Sequence, residues 1–149
     1  MPFSLSVLRL AVLAIAGSNI AAFPASAAAD TSFLRGVYAA APDQCDQARL
    51  VVSERSVRQY ADGALDRRFD VVDYLLTFNH ENGRVASSGL ILQLIADSHY
   101  YVLHLDPTSN DHPDQYRTNW FRSDKRIMRA QLSEFVEQRA YRGTIVEPC

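Results

Sequence analysis

Val72-Asp73-Tyr74-Leu75-Leu76-Thr77-Phe78-Asn79-His80-Glu81-Asn82-Gly83 is the stretch on which the fold turns. Val72, Tyr74, Leu76 and Phe78 alternate with Asp73, Leu75 and Thr77, the two-residue period of a strand with one strongly apolar face. Asn82-Gly83 then supplies a pair that tolerates the positive φ angles of a two-residue hairpin turn. Working outward, Val85 to Ala96 is a second extended run centred on Leu90-Ile91-Leu92-Gln93-Leu94-Ile95. Asp97-Ser98 reads as the next turn and Tyr100-Tyr101-Val102-Leu103-His104-Leu105 as the next strand. Residues 107–115 are a loop by composition, and Tyr116 to Arg122 is a further, aromatic-rich strand. An antiparallel meander of at least four strands over residues 68–122 follows. Earlier candidates are Arg35–Ala39, Leu50–Ser53 and Val57–Tyr60, the last followed by a second turn pair, Asp62-Gly63.

The period changes toward the end of the chain. Met128, Leu132, Phe135, Val136 and Ala140 form a helical stripe, with Gln131, Glu134, Glu137 and Gln138 between them. Ser123 or Asp124 offers an N-cap and Gly143 a stop, which predicts one amphipathic helix of about 15 residues. The fold class expected is mainly β: a small antiparallel barrel or sandwich carrying one C-terminal amphipathic helix, with α+β as the alternative. Barrel closure would also remove exposed strand edges.

The first residues have a different character. Arg9 is the only charge before Asp30, an apolar run Leu10–Ala16 follows it, and Ala25-Ser26-Ala27-Ala28-Ala29 supplies small residues. This is the layout of a cleaved secretory signal peptide, expected over residues 1–27, with residues 28–149 a single β-rich domain. Asn19 and Pro24 interrupt any extension toward the ~20 apolar residues of a membrane span. No transmembrane segment is expected after cleavage, and the style of the leader reads as bacterial, placing the protein in the periplasm or outside the cell. Cys45 and Cys149 are the only cysteines, and in an oxidising compartment they predict one disulfide. Closing a loop of about 105 residues is worth roughly 4–5 kcal/mol in chain-entropy terms.

In outline, an early Gly36-Val37-Tyr38 strand followed by a disulfide-forming cysteine is similar to small exported proteins of lipocalin-like or protease-inhibitor-like layout. The likeness covers only about the first twenty mature residues, rests on no specific motif and assigns no family.

Composition narrows the functional classes. At 48% hydrophobic and 21% charged residues the chain is an ordinary globular sequence, and a net charge of -2 is the wrong sign for a general nucleic-acid binder. His80, His99, His104 and His112 lack a metal-ligand spacing; His99 and His104, five apart on one strand, point to opposite faces. Asp106, Thr108 and Asn110 imitate the start of a calcium loop, but Asp111 stands where glycine is needed and Arg117 where a bidentate glutamate is needed. There is no Gly-x-Ser-x-Gly elbow and no glycine-rich phosphate loop. No catalytic residue, cofactor site or metal site is assigned.

Charge is unevenly spread. Residues 28–114 carry 7 Arg against 13 acidic residues, whereas residues 115–149 carry 6 Arg and 1 Lys against 4. Arg117, Arg122, Lys125, Arg126 and Arg129 stand beside Trp120 and Phe121, and Arg and Trp are the residue types most enriched in binding hot spots. These seven form a candidate partner-binding patch; the competing reading places Trp120 in the core and pairs the arginines with the protein's own acidic strands. The leading functional expectation is a non-enzymatic binding, inhibitor-type or envelope accessory module with an envelope or extracellular protein partner. The alternatives are a lipocalin-like carrier of a small apolar ligand and a small hydrolase using His104 or His112.

Overall fold

The computed structural model describes residues 36–139 and 143–149; the leader expected over residues 1–27 lies outside them. Eight strands run β1 (Gly36–Ala39), β2 (Arg49–Val52), β3 (Ser56–Ala61), β4 (Ala64–Glu81), β5 (Arg84–Ala96), β6 (His99–Ser109), β7 (His112–Ser123) and β8 (Thr144–Pro148). Each pairs antiparallel with the next, and β8 returns to β1, closing an up-and-down barrel. The turns do what their residues predict. Asp62-Gly63 and Asn82-Gly83 have positive φ at both positions, and so does Asp97-Ser98. A barrel, not a sandwich, is therefore the form the meander takes.

An eight-stranded barrel is just wide enough for its own side chains to fill it. Here they do. Leu50, Val52, Val57, Phe69, Leu90, Leu92, Leu94, Leu103 and Leu105 are buried in one cluster, and Tyr74, Leu76, Tyr101, Tyr116 and Trp120 pack against it. Aromatic rings run through the interior: Trp120 lies 5.0 Å from Phe69, Phe69 lies 5.3 Å from Tyr101, and Tyr38 meets Tyr116 edge-on at 5.7 Å. Cys45 in the β1–β2 connection is disulfide-bonded to Cys149, with Cα atoms 5.9 Å apart, as expected. The Cys149 N–H donates to the Val37 carbonyl, so the bridge secures the β1–β8 closure of the barrel.

Four details depart from the sequence reading. Val72 does not share a face with Tyr74 and Leu76: the register passes from Val71 to Asp73, leaving Val72 as a bulge, and Val71 packs on the core instead. Phe78 lies beyond the filled interior and is half exposed. The polar stretch 107–115 is not a loop but the tip of the β6–β7 hairpin, with Pro107 buried in β6 and only Asn110-Asp111 turning. Proline is accommodated because the register shifts beside it, between Pro107 and Ser109. β8 was not expected at all.

The C-terminal helix is shorter than the stripe implies. After β7 the chain bends at Asp124-Lys125, reaches Met128 without regular structure, makes a 3₁₀ turn at Arg129–Gln131 and only then forms α1 (Leu132–Glu137). Ser123 caps nothing helical; its hydroxyl donates to the Lys125 carbonyl. The reason lies in β5. The Gln93 side-chain amide donates to the Ile127 carbonyl at 2.8 Å and accepts from the Ile127 N–H, so both backbone polar groups of that residue are bound to β5 and not to a helix. Leu132 and Val136 bury the apolar side of α1, while Met128 is largely exposed and Ala140 lies outside the described residues.

Candidate functional site

The segment Ile127–Glu137 lies on the outside of the barrel. Strand alternation sends Leu90, Leu92 and Leu94 inward and Ile91 and Gln93 outward. Ile91 and Val102 form a second buried cluster with Ile127, Leu132 and Val136, bordered by Leu75, Phe121 and Phe135. The same outer face carries His104, paired between Ile91 and Asn119 and only 5% exposed. Burial holds its imidazole below the usual pKa of 6.5, with the Asp106 charge opposing. The Asn119 Nδ2 has no hydrogen-bond partner among the described residues. Gln93 could have been singled out beforehand, since it is the one polar side chain in the run Leu90–Ile95. Nothing in the sequence, however, named Ile127 as its partner, 34 positions away.

Between the end of β7 and α1 runs a groove of about 660 Å³, lined by the cations Arg122, Lys125 and Arg139, the carboxylates Asp124 and Glu134, and the apolar Ile127 and Phe135 among others. The Arg139 guanidinium stacks 3.3 Å above the Phe135 ring and donates to the Phe135 carbonyl. Arg122 is exposed, its guanidinium on the His99 ring nitrogens. Lys125 is exposed as well.

The seven residues of the sequence patch are divided by strand alternation. Trp120 packs against the interior core, while Phe121 faces outward onto Phe135 at 6.0 Å. Arg117 pairs across to Asp106 on β6 and Ile145 on β8, away from the groove. Arg129 is bound to the protein's own acidic strand: it meets Asp73 at 2.7 Å and stacks over Tyr74 at 5.4 Å. Arg126 donates to the Val72 carbonyl at 3.3 Å. The structure therefore brings only Arg122 and Lys125 together at the groove, with Phe121 beneath Phe135.

The other candidates are dispersed. His104 is buried on the outer face and His112 is exposed at the tip of the β6–β7 hairpin, paired with Ser109. Thr108 donates to Gln115 and Asn110 accepts from Ser87, so two of the three side chains that imitate a calcium loop are hydrogen-bonded to β7 and β5. Among the described residues no group of three His, Cys, Asp or Glu side chains could hold a metal ion.

Two tyrosines respond to the interior. Burial, with the neighbouring Tyr116 hydroxyl, pushes the Tyr38 hydroxyl up to about 12; burial and then Asp114 raise Tyr116. Comparison with family models, curated proteins and solved structures finds no match to this chain.

Proposed function

We propose that this protein is an exported, non-enzymatic binding module that seats an acidic segment of an envelope or extracellular protein in the groove between β7 and α1. One contrast carries the reading. Arg129 is neutralised by Asp73, whereas Arg122 and Lys125 stand exposed at the groove with no carboxylate partner among the described residues. Cations without a carboxylate partner among the described residues, beside the apolar floor of Ile127 and Phe135, suit an acidic chain that also carries apolar side chains.

Export is supported by the Cys45–Cys149 bridge, which persists in an oxidising compartment. Among the described residues no helix is long and apolar enough to cross a membrane. The alternation is also the reverse of a lipid-facing barrel: apolar side chains fill the interior, while exposed Arg68 and Asp70 flank the inward Phe69. A carrier whose ligand occupies the barrel interior is less well supported, because leucines and aromatic rings already occupy it. A small hydrolase using His104 or His112 is less well supported, because His104 is buried and His112 stands exposed at a hairpin tip.

A photocrosslinking residue at Ser123 or Gln131, in protein expressed in its own envelope, tests the groove. Crosslinking to a discrete acidic partner is expected, falling about tenfold in the Arg122→Glu, Lys125→Glu double variant, the size of effect two rim charges can produce. A yield unchanged by charge reversal would reject the groove.

A further inference from the structure

The filling of the barrel is lopsided at one end. At the end carrying the β1–β2, β3–β4 and β5–β6 connections, the β4–β6 side is capped. Arg67 donates to the Tyr101 hydroxyl at 2.7 Å, approaches Asp97 at 3.7 Å and stacks over the Phe69 and Tyr101 rings. Among the described residues the opposite side has no such cap. Beyond Tyr38, Leu50, Val57 and Val146, the residues toward this end become Ala40, Ala48, Gln59, Ala61 and Thr144. What results is a cleft of about 580 Å³, with Trp120 and Leu50 in its lining. That volume falls in the ~300–1,000 Å³ range of small-molecule sites.

Among the described residues the charges around the cleft are mostly acidic. Asp66 lines it, exposed and without an ion-pair partner among the described residues. Asp43 and Asp46 lie in the β1–β2 connection and Asp62 in the β3–β4 turn; a bond from the Gly63 N–H to the Gln47 carbonyl ties the two loops together. Among the described residues the lining carries one cation, Arg49, and it is occupied: its guanidinium lies 4.0 Å over the Tyr60 ring and donates to the Cys45 and Asp46 carbonyls.

We propose that this cleft binds a small organic cation with a ring-bearing apolar body, the ammonium beside Asp66 and the ring against the Trp120 indole. An acidic rim raises the local concentration of cations, and an indole offers a large aromatic surface on which a ligand ring packs edge-on or offset-stacked. The proposal is independent of the β7–α1 groove.

Trp120 is the only tryptophan of the chain, so its emission reports on the cleft alone. Three probes share one body: 4-phenylbutylamine, 4-phenylbutanol and 4-phenylbutyrate. The amine is expected to shift the emission saturably, the alcohol to bind about threefold to fivefold more weakly, and the carboxylate more weakly still. Asp66→Asn should bring amine and alcohol to equal affinity. Ala61→Phe, which fills the cleft from an exposed position, should abolish the shift for all three while near-UV circular dichroism stays native. Arg122→Glu should change none of them. No saturable shift with any probe, tightest binding of the carboxylate, or full amine binding by folded Ala61→Phe would each overturn the proposal.

Discussion

Strand β5 faces two cores of different origin. Its inward residues Leu90, Leu92 and Leu94 meet side chains from strands around the barrel. Its outward Ile91 is covered by one segment, Ile127–Glu137, held at its start by the Gln93 amide. The first core arises from alternation repeated strand after strand, so its parts reinforce one another. The second exists because a single stretch of chain lies down on a sheet that would otherwise face water. The inner core should therefore unfold with the whole barrel, and the outer one should be able to open by itself.

Leu92→Ala tests the inner core and should have the largest effect, a loss of about 3–4 kcal/mol in urea unfolding, because Leu92 is fully enclosed. A loss below about 1 kcal/mol would mean that the interior is not packed as a core. Leu132→Ala, equally buried but on the outer side, should cost about 2–3 kcal/mol, since a covering segment can collapse onto the space left behind.

Gln93→Leu sharpens the distinction. It leaves the Ile127 N–H and carbonyl without their amide partner and should cost about 1–2 kcal/mol. Hydrogen exchange should accelerate at Ile127–Glu137 while β5 and β6 amides keep their protection. Equal acceleration throughout would show that the two cores open together.

The smallest effect is expected from acid. Burial lowers the His104 pKa, so below its ordinary value of 6.5 the unfolded chain takes up a proton that the folded chain resists. Stability should decline as pH falls below 6.5 toward the lower folded value, and His104→Gln should flatten that decline. A wild-type slope that survives the substitution would assign it to other groups.

The parts of the fold legible beforehand are those written in neighbouring residues. Asn82-Gly83 and Asp62-Gly63 announced hairpins because few residues accept paired positive φ angles, and Tyr74 and Leu76 announced an inward face through period two. The Val72 bulge escaped because one inserted residue leaves the local apolar pattern unchanged while shifting its phase. β8 escaped because Thr144–Pro148 is five residues long and pairs with strands distant in sequence. The helix was overread because an apolar stripe records which side chains are buried, not whether the backbone between them is helical. For the candidate site, the sequence assembled Arg117 to Arg129 as neighbours on the chain. Strand alternation and Asp73 then separated them, leaving Arg122 and Lys125 at the groove.

By itself the sequence determined a disulfide-closed, mainly β body, because turn chemistry, alternation and cysteine count are all local or compositional properties. Only the tertiary structure decided that the meander closes into a barrel, that Gln93 docks Ile127, and that small residues among those described line a cleft at one end. Each of those depends on contacts between segments far apart in the chain, and no short-range pattern encodes which distant segment will arrive.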